Sequence, residues 1–247
     1  MKLLAWNIRH GGGSKRMPHI ALTLLEHAAD VVVLTEFRRT TGGQIAGVLA
    51  DHGLEHQACS DPPPGKNGLL VASRAPIQVQ PGLTHRWAEI VLPDSGLRIL
   101  AVHAPHDTPG QASASTARTR FFQAVVDKGR AHVTDPFIML GDFNEWTRGP
   151  ATRVLTAGRE QGDEEGSTLA CTYRLGVLAS LGYIDAWRRF NPAGREFTWY
   201  SPQGGGFRID HVFVSPPLRD SVEFCRYSHA ERESGLSDHS VVVMGLR

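Results

Sequence analysis

The sequence predicts an α/β fold, a layered sandwich of two mixed β-sheets flanked by helices, and three observations support it. Short runs rich in Val, Ile and Leu alternate with longer segments of helical periodicity, which is typical of layered α/β proteins. The ten runs that we assign to strands are more than one sheet usually holds. They outnumber the four predicted helices, so several strands must be joined by hairpins rather than by helical crossovers.

Each element follows from a local pattern. The apolar runs predict strands at Lys2–Ile8, Val31–Glu36, Leu69–Ser73, Ile90–Leu92, Arg98–His103, Phe137–Gly141, Phe197–Tyr200, Arg208–Val214, Val222–Cys225 and Val241–Met244. Helical periodicity predicts helices at Pro18–Ala29, Gln44–His52, Ser115–His132 and Arg174–Leu181, the first with proline in its first turn. Strand-like runs continue on both sides of the loop-like segments 61–65 and 158–167, so we predict a single domain over residues 1–247.

The composition limits the class of protein. With 41% hydrophobic and 21% charged residues the chain can form a core, which argues against a disordered protein or a coiled coil. The net charge is only +1, so any contact with nucleic acid must be local. The cysteines, Cys59, Cys171 and Cys225, are odd in number and far apart, and they are interpreted as reduced thiols. Without a secretory signal or a long apolar run, we predict a cytoplasmic monomer with no membrane anchor and no obligate protein partner.

Polar side chains lie at the ends of the predicted strands, where an apolar run does not predict them. These polar positions are Asn7, Glu36, His103, Asp142, Asn144, Asp210, Asp238 and His239. Ligands of α/β sheets bind beyond the carboxyl ends of strands, and several carboxylates that meet there repel one another unless a cation or a proton lies between them. The pattern therefore predicts a polar site at one edge of the sheets.

The oxygen-rich side chains of this site indicate a hard cation, Mg²⁺ or Mn²⁺. Zinc fits less well because the sequence has no H-E-x-x-H motif and no cysteine pair, although His103 and His106 could form a two-histidine contact. A hard cation beside Asp–His pairs favours phosphoryl chemistry, in which a carboxylate or imidazole takes a proton from water and an imidazolium compensates developing negative charge. Residue types alone do not identify the substrate.

Six motifs occur in order along the chain: Trp6-Asn7, Thr35-Glu36, His103-Ala104-Pro105-His106, Gly141-Asp142-Phe143-Asn144, Arg208-Ile209-Asp210-His211 and Ser237-Asp238-His239. Together they resemble the endonuclease/exonuclease/phosphatase superfamily, and the segment 67–74 is similar to the family's glycine-led strand that ends in Ser-Arg. The resemblance spans residues 7–239 and implies a two-sheet, deoxyribonuclease I-like sandwich that hydrolyses phosphate esters with a metal ion. Within this superfamily we expect an enzyme that resembles exonuclease III and the abasic-site endonucleases.

The resemblance also implies a role for each residue. Glu36 would hold the metal, with Asn7 and Asp238 nearby. Asp142 would orient or deprotonate the attacking water, and Asn144 would hold the phosphate or the water. His239, paired with Asp210, would stabilise the transition state. His103 stands where members of the family use His or Tyr near the phosphate, and His106 where several nucleases use Asn.

DNA is the predicted substrate, and the residues predicted to bind it are Arg38, His106, Trp146, Arg148, Phe207 and Arg208. Because the net charge is near zero, we expect a local stripe formed by Arg38, Arg39, Arg74, Arg148 and Arg208. Two alternatives stay open at this point. The first is a phosphatase or phosphodiesterase that acts on a small-molecule or phospholipid phosphoester, and the second is a non-catalytic binding protein with the same fold.

Several of these residues also have ordinary structural interpretations. Asp142 and Asn144 suit an Asx turn, and Asp210 could simply pair with Arg208. The run Gly11-Gly12-Gly13 is interpreted as a turn rather than a phosphate-binding loop, because it lacks the G-x-G-x-x-G spacing. We assign His10 no functional role.

Overall fold

The computed structural model describes residues 1–82, 85–106, 112–145 and 175–247, without the side chains of 112–115. The strands are β1 (Lys2–Asn7), β2 (Val31–Phe37), β3 (His56–Cys59), β4 (Gly68–Ser73), β5 (Gln78–Gln80), β6 (Trp87–Leu92), β7 (Leu97–His103), β8 (Phe137–Asp142), β9 (Ile184–Asp185), β10 (Trp199–Tyr200), β11 (Gly206–Phe207), β12 (Asp210–Val214), β13 (Val222–Ser228) and β14 (Val241–Leu246). The helices are α1 (Gly13–Glu26), α2 (Arg39–Asp51), α3 (Ala112–Ala131), α4 (175–180), α5 (Ala186–Phe190) and α6 (Ala230–Glu233), with a 3-10 helix at Pro216–Ser221.

Twelve of these strands form two six-stranded mixed sheets, which confirms the predicted fold class. Sheet A has the order β13-β14-β1-β2-β4-β3, and sheet B has the order β5-β6-β7-β8-β12-β9. Each sheet contains one parallel pair, β1 with β2 and β7 with β8, and its other pairs are antiparallel. Strands β10 and β11 form a separate two-stranded ribbon.

The sheets are buried on both faces, which explains why their strands are continuous apolar runs rather than alternating ones. In β1, Leu3 and Ala5 belong to the core between the two sheets. Their neighbours Leu4 and Trp6 face the opposite way, because successive side chains of a strand alternate, and pack with α1 and α2. On the outside of sheet B, α3 and α4 cover a third core. Among the described residues, no helix is long and apolar enough to span a membrane.

Strand register brings the polar strand ends to one edge of both sheets. In sheet A, Asn7 pairs with Thr35, so β1 and β2 end together beside Glu36. In sheet B, Asp142 pairs with both His103 and Asp210, which places the end of β7, the end of β8 and the start of β12 side by side. The tight approach of β7 and β8 requires glycine at 141, since a Cβ there would lie 2.2 Å from the Val102 carbonyl oxygen.

Element boundaries differ from the predictions at several places. Helix α1 begins five residues before Pro18, and the burial of Met17 beside Ile20 and Leu24 favours this extension. The short strands β3, β5, β9 and β11 were not predicted as separate elements, because two to four residues carry too little periodicity to identify a strand. The predicted strand at 208–214 begins only at Asp210, and α2 begins at Arg39 rather than Gln44. The predicted surface loop 158–167 lies outside the described residues.

Candidate active site

A cavity of about 660 Å³ opens at the edge where the polar strand ends meet. Its lining residues are His10, Glu36, Asn67, Arg86, His103, His106, Asp142, Asn144, Trp199, Ser201, Pro202, Phe207, Ile209, Asp238 and His239. Both sheets contribute to it: Glu36 belongs to sheet A, whereas His103 and Asp142 belong to sheet B. The cavity therefore combines carboxylates, imidazoles and an arginine with an apolar wall, which is typical of a small-ligand or catalytic site.

Asp142 lies at the centre of the polar group. One of its oxygens accepts a hydrogen bond from Asn7 Nδ2 at 2.9 Å, and the other accepts from the backbone N–H of Asn144 at 2.8 Å. Two imidazole nitrogens face the same carboxylate, His103 Nε2 at 3.8 Å and His239 Nε2 at 4.0 Å. A substrate atom or a water between Asp142 and His239 would contact both groups.

His239 is oriented by Asp210. Its Nδ1 lies 2.9 Å from Asp210 Oδ2, which directs Nε2 toward Asp142 and the cavity. The Asp210 backbone is held in turn, because its N–H donates to Thr198 Oγ1 at 3.2 Å and its carbonyl accepts from the Tyr227 hydroxyl at 2.8 Å. The pairing has the geometry of a general acid or an electrostatic stabiliser rather than of a surface ion pair.

The two titratable groups facing each other have shifted pKa values. Burial raises the pKa of Asp142 to about 7, and the Asp210 charge adds to this effect while His239 and two hydrogen bonds oppose it. Burial alone would lower the pKa of His239, but Asp210, Asp142 and Asp238 together raise it to about 9. Between these values Asp142 is a carboxylate able to accept a proton, and His239 is a cation facing it.

Glu36 forms the other side of the site. Its Oε2 accepts hydrogen bonds from the backbone N–H of His10 at 2.7 Å and from Asn67 Nδ2 at 2.9 Å, and Asn7 Nδ2 lies 3.3 Å from Oε1. Glu36 has a left-handed backbone, with φ of 57°, where sheet A shows a register shift between Thr35 and Phe37. This unusual conformation turns the carboxylate out of the strand alternation and toward the cavity.

The donor set of the cavity fits a hard divalent cation. Glu36, Asp142 and Asp238 all line it and offer carboxylate oxygens, the ligands that Mg²⁺ and Mn²⁺ prefer. Ligand atoms of Asp142, Asp210 and His239 also lie within 4.8 Å of one another. We predicted Asn7 as a metal ligand, but its side-chain oxygen does not face the carboxylates. Oδ1 accepts a hydrogen bond from the backbone N–H of Arg9 at 2.9 Å. Its nitrogen therefore faces the carboxylates and bridges Glu36 to Asp142.

Arg86 and His103 form the basic side of the cavity. The guanidinium Nη1 of Arg86 lies 3.2 Å from both ring nitrogens of His103. Burial, together with the Arg86 charge, holds the pKa of His103 well below its ordinary value, so this imidazole is neutral near pH 7. Burial also lowers the pKa of Arg86, but an arginine stays protonated at any physiological pH. The site thus has a permanent cation beside a neutral imidazole.

A buried ion pair supports the segments that follow His103 and Asp142. Arg118 of α3 donates to the carbonyl oxygens of Pro105 and Asn144, at 2.5 and 2.6 Å, and to Glu145 Oε2 at 2.8 Å. Asn144, with a left-handed φ of 47°, donates from Nδ2 to the Ala104 carbonyl at 2.9 Å. These contacts join the segments after β7 and β8, so the side chains at both strand ends keep their relative positions.

An aromatic wall lies beside the charged groups. The rings of Trp199 and Phe207, on the two strands of the β10–β11 ribbon, are 6.0 Å apart, and Ile209 continues the apolar surface. Trp199 is fixed to the site, since its Nε1 donates to Asp238 Oδ2 at 3.4 Å and its ring lies 6.4 Å from that of His239. Such a surface can contact a sugar or a base next to a bound phosphate.

The predicted site residues lie at different distances from the cavity. Those that line the cavity are Glu36, His103, His106, Asp142, Asn144, Phe207, Asp238 and His239, and Asn7 and Asp210 lie directly behind them. Arg38 contacts a residue of the cavity lining, since its Nε donates to Oδ1 of Asn67 at 2.7 Å. Trp146 and Arg148 lie outside the described residues.

The prediction that Arg208 binds substrate is wrong, and among the described residues Arg74 does not join the expected arginine stripe either. Arg208 is buried away from the cavity and pairs with Asp185 at 2.6 Å. Arg74 follows β4, which runs antiparallel to β2, so it lies at the opposite edge of the sheet from Glu36. A strand pattern in sequence does not show which end of an antiparallel strand meets the site, and this is why Arg74 was misplaced.

Sequence reasoning missed the polar cavity residues His10, Asn67 and Arg86. His10 was assigned no role, yet its backbone and its ring both contact Glu36. Asn67 was noted only as the first residue of the segment 67–74, and Arg86 was not considered. The available signal was positional: Asn67 and Arg86 each precede a strand that is antiparallel to one whose carboxyl end forms the site.

Solved structures share the whole fold. The chain is 24% identical to a 3′ phosphatase, NExo, from Neisseria, bound to product DNA hairpin, with TM-score 0.80 and coverage of 100% of this chain and 99% of that one. It is 18% identical to an AP endonuclease from Archaeoglobus fulgidus, with TM-score 0.82 and coverage of 100% and 99%. For the Xenopus laevis APE2 catalytic domain, identity is 19%, TM-score 0.77 and coverage 100% and 91%. None of the curated protein sequences matches the chain.

The family assignment rests on the sequence motifs as well as on the fold. A family profile matches residues 4–239, a span that contains all of sheet B and every described residue of the cavity. The matched span ends at His239, the imidazole that faces Asp142. The chain belongs to the Endonuclease/Exonuclease/phosphatase family.

Proposed function

We propose that this protein is a Mg²⁺- or Mn²⁺-dependent phosphodiesterase that hydrolyses DNA. The observation that carries the proposal is the arrangement of Asp142 and His239, two buried groups of opposite charge that face each other across an open cavity, with Glu36 at its side. Water attack on a phosphate ester needs a base for the water proton and positive charge for the phosphate oxygens. This cavity supplies both.

Each side chain has a role in the proposed reaction. Asp142 orients the attacking water and accepts its proton, while Asn7 and the Asn144 N–H hold the carboxylate in place. His239, kept cationic by Asp210, compensates the negative charge that develops on the phosphate. A divalent cation held by Glu36 and Asp238 would polarise the phosphate oxygens.

Arg86 is the phosphate-binding cation of the proposed site. It lines the cavity together with His103, and its planar guanidinium suits bidentate contact with phosphate oxygens. It takes over the role that we first predicted for the arginine stripe. The neutral imidazole of His103 can donate or accept a hydrogen bond beside it without adding charge.

Two observations support DNA as the substrate. NExo from Neisseria was solved with a product DNA hairpin, and another similar structure is an AP endonuclease, so proteins with this fold act on DNA ends and abasic sites. In this chain the wall formed by Trp199 and Phe207 stands beside the charged groups, where it can pack against a sugar or base. Hydrolysis at an abasic site or at a 3′ end would use this wall.

A small-molecule or phospholipid phosphoester is the second candidate substrate. The net charge of +1, and an arginine stripe that is not assembled among the described residues, favour it because DNA enzymes usually contact several phosphates. Its catalytic chemistry would be the same. The two candidates differ only in how much backbone the protein grips outside the cavity.

The test is hydrolysis of five labelled substrates with Mg²⁺, Mn²⁺ or a chelator: a duplex with one abasic site, a duplex ending in a 3′ phosphate, an intact duplex, a single strand and a chromogenic phosphodiester. Asp142→Asn is the control for contaminating nuclease. We expect metal-dependent cleavage of at least one DNA that disappears in the variant. If only the chromogenic ester is cleaved, the assignment of DNA as the substrate is wrong. If none of the five substrates is cleaved, the proposal that the protein is a phosphodiesterase is wrong.

A further inference from the structure

His10 contacts the proposed metal-binding carboxylate through both its backbone and its ring. Its N–H donates to Glu36 Oε2 at 2.7 Å, and its Nδ1 lies 3.0 Å from the same oxygen. Nδ1 is also 3.3 Å from the amide nitrogen of Asn67, which itself donates to Glu36 Oε2 at 2.9 Å. The ring, the carboxylate and the amide thus converge on one point at the mouth of the cavity.

The backbone around His10 has a conformation that residues other than glycine rarely adopt. Arg9 and His10 have left-handed φ values of 49° and 53°, and Glu36, which His10 contacts, has φ of 57°. The conformation is unfavourable for a residue with a Cβ, and it persists only where surrounding contacts impose it. Gly11 permits the turn, because a Cβ at that position would lie 3.0 Å from Arg38 Cβ. This geometry aims the imidazole at Glu36.

The contact places two lone-pair donors next to each other. With its hydrogen on Nε2, the imidazole carries the Nδ1 lone pair 3.0 Å from Glu36 Oε2, so a cation next to both atoms would be bound by both. Adjacent ligands of an octahedral ion with bonds of about 2.1 Å are about 3.0 Å apart, which is the separation seen here. The side chain of His10 is 65% exposed, so an ion can reach it from solvent.

We propose that His10 Nδ1 is a metal ligand beside Glu36, and that it makes this site bind a first-row transition-metal ion in preference to Mg²⁺. The inference rests on the proposed function, which places the divalent cation at Glu36. Imidazole nitrogen strengthens binding of transition metals, whereas Mg²⁺ prefers oxygen ligands and retains its waters. Removal of His10 therefore weakens Mn²⁺ binding and leaves Mg²⁺ binding nearly unchanged.

The experiment measures metal binding without substrate. Mn²⁺-loaded protein is examined by pulsed EPR for coupling to a ligand nitrogen, and Mn²⁺ and Mg²⁺ affinities are measured by calorimetry. The variants are H10A, H10Q and E36Q, and H19A is the control because His19 is an exposed histidine of α1. We expect H10A and H10Q to lose the nitrogen coupling and to lower the Mn²⁺ to Mg²⁺ affinity ratio about tenfold.

Nitrogen coupling that persists in H10A would overturn the proposal, because another histidine would then be the ligand. Equal losses of Mn²⁺ and Mg²⁺ affinity, or no change in either, would also overturn it. E36Q separates the two proposals: if it retains full metal binding, the metal site of the proposed function fails together with this inference. If E36Q loses binding while H10A and H10Q behave as wild type, only the role of His10 fails.

Discussion

Two buried charged clusters lie next to each other in this protein, and they differ in how their charges are compensated. The first, the cavity cluster, consists of Asp142, Asp210 and His239. The second, the support cluster, consists of Asp185, Arg208 and Tyr227. A hydrogen bond joins them, from the Tyr227 hydroxyl to the Asp210 carbonyl at 2.8 Å. The comparison shows which kind of buried charge indicates function.

The support cluster is fully paired. The Arg208 guanidinium contacts both oxygens of Asp185, at 3.2 and 2.6 Å, and the Tyr227 hydroxyl at 3.2 Å. Burial by itself would raise the pKa of Asp185, but Arg208 and His211 hold it far below its ordinary value. Each ion therefore stabilises the other, and the cluster connects β9, β12 and β13 around the ring of Trp187.

The cavity cluster has two carboxylates and one imidazole, so it carries excess negative charge in a buried place. Burial, with a smaller contribution from the Asp210 charge, raises the pKa of Asp142 to about 7, and the carboxylates around His239 raise its pKa to about 9 against the effect of burial. Burial acts to raise the pKa of the carboxylate in both clusters, so burial does not distinguish them. Incomplete compensation beside an open cavity does, because it keeps groups ready to exchange protons with a ligand.

The largest expected effect is on activity, from Asp142→Asn. Removing the base should lower kcat by roughly 10³-fold or more. Stability should stay unchanged or rise, because a buried carboxylate with a raised pKa is replaced by a neutral amide. Initial rates and thermal unfolding measure the two effects, with Asp51→Asn on exposed α2 as the matched control. Unfolding of the variant at much lower temperature would contradict the distinction between the clusters.

The second effect is on stability, from Asp185→Asn. Leaving Arg208 without its carboxylate should lower the free energy of unfolding by about 3 to 5 kcal/mol, because a buried charge loses its partner. The folded protein should retain most of its activity at low temperature. Urea unfolding with a parallel rate assay measures both, and full stability with lost activity would place Asp185 in the catalytic machinery instead.

The same variant should show a specific pH dependence. The pKa of Asp185 is depressed in the folded protein, so its contribution to stability is complete above the unfolded pKa of about 3.9. That contribution falls as the pH drops below this value toward the folded pKa. The stability difference between wild type and Asp185→Asn should therefore be constant near neutrality and shrink below about pH 4.

The smallest effect compares the two arginines. Arg208 is a structural cation, whereas Arg86 lines the cavity and is proposed to bind phosphate. Arg86→Lys keeps the charge but removes the planar fork, so we expect about a tenfold rise in KM and weaker inhibition by inorganic phosphate. The control is Arg39→Lys, an exposed member of the predicted stripe, which should change KM less than twofold. Equal effects of both substitutions would support the predicted arginine stripe and contradict a specific role for Arg86.

Much of the fold could be predicted from sequence because its physical signal is local. Apolar runs such as 31–35 and 137–140 identify strands that are buried on both faces, and the structure has β2 and β8 at these positions. Polar groups that follow such runs, Glu36 and Asp142, could be identified as site candidates for the same reason. Short strands such as β5 carried no comparable pattern.

The positions of individual charged groups could not be predicted in this way. Arg208 and Asp210 are two residues apart, yet one pairs with Asp185 behind the sheet and the other with His239 beside the cavity. Asp210 begins β12, whereas Arg208 precedes it, so strand alternation does not relate the two side chains. Only the packing of β9 and β13 beside them decides which partner each one finds.

By itself the sequence determined the two-sheet α/β class, the strand-end carboxylates and the family motifs, because these depend on residue type and short-range order. The tertiary structure decided that His10, Asn67 and Arg86 face the same cavity as Asp142. It also decided that Arg74 and Arg208 do not. Those facts depend on strand direction and register between residues far apart in the chain, and a local pattern contains neither.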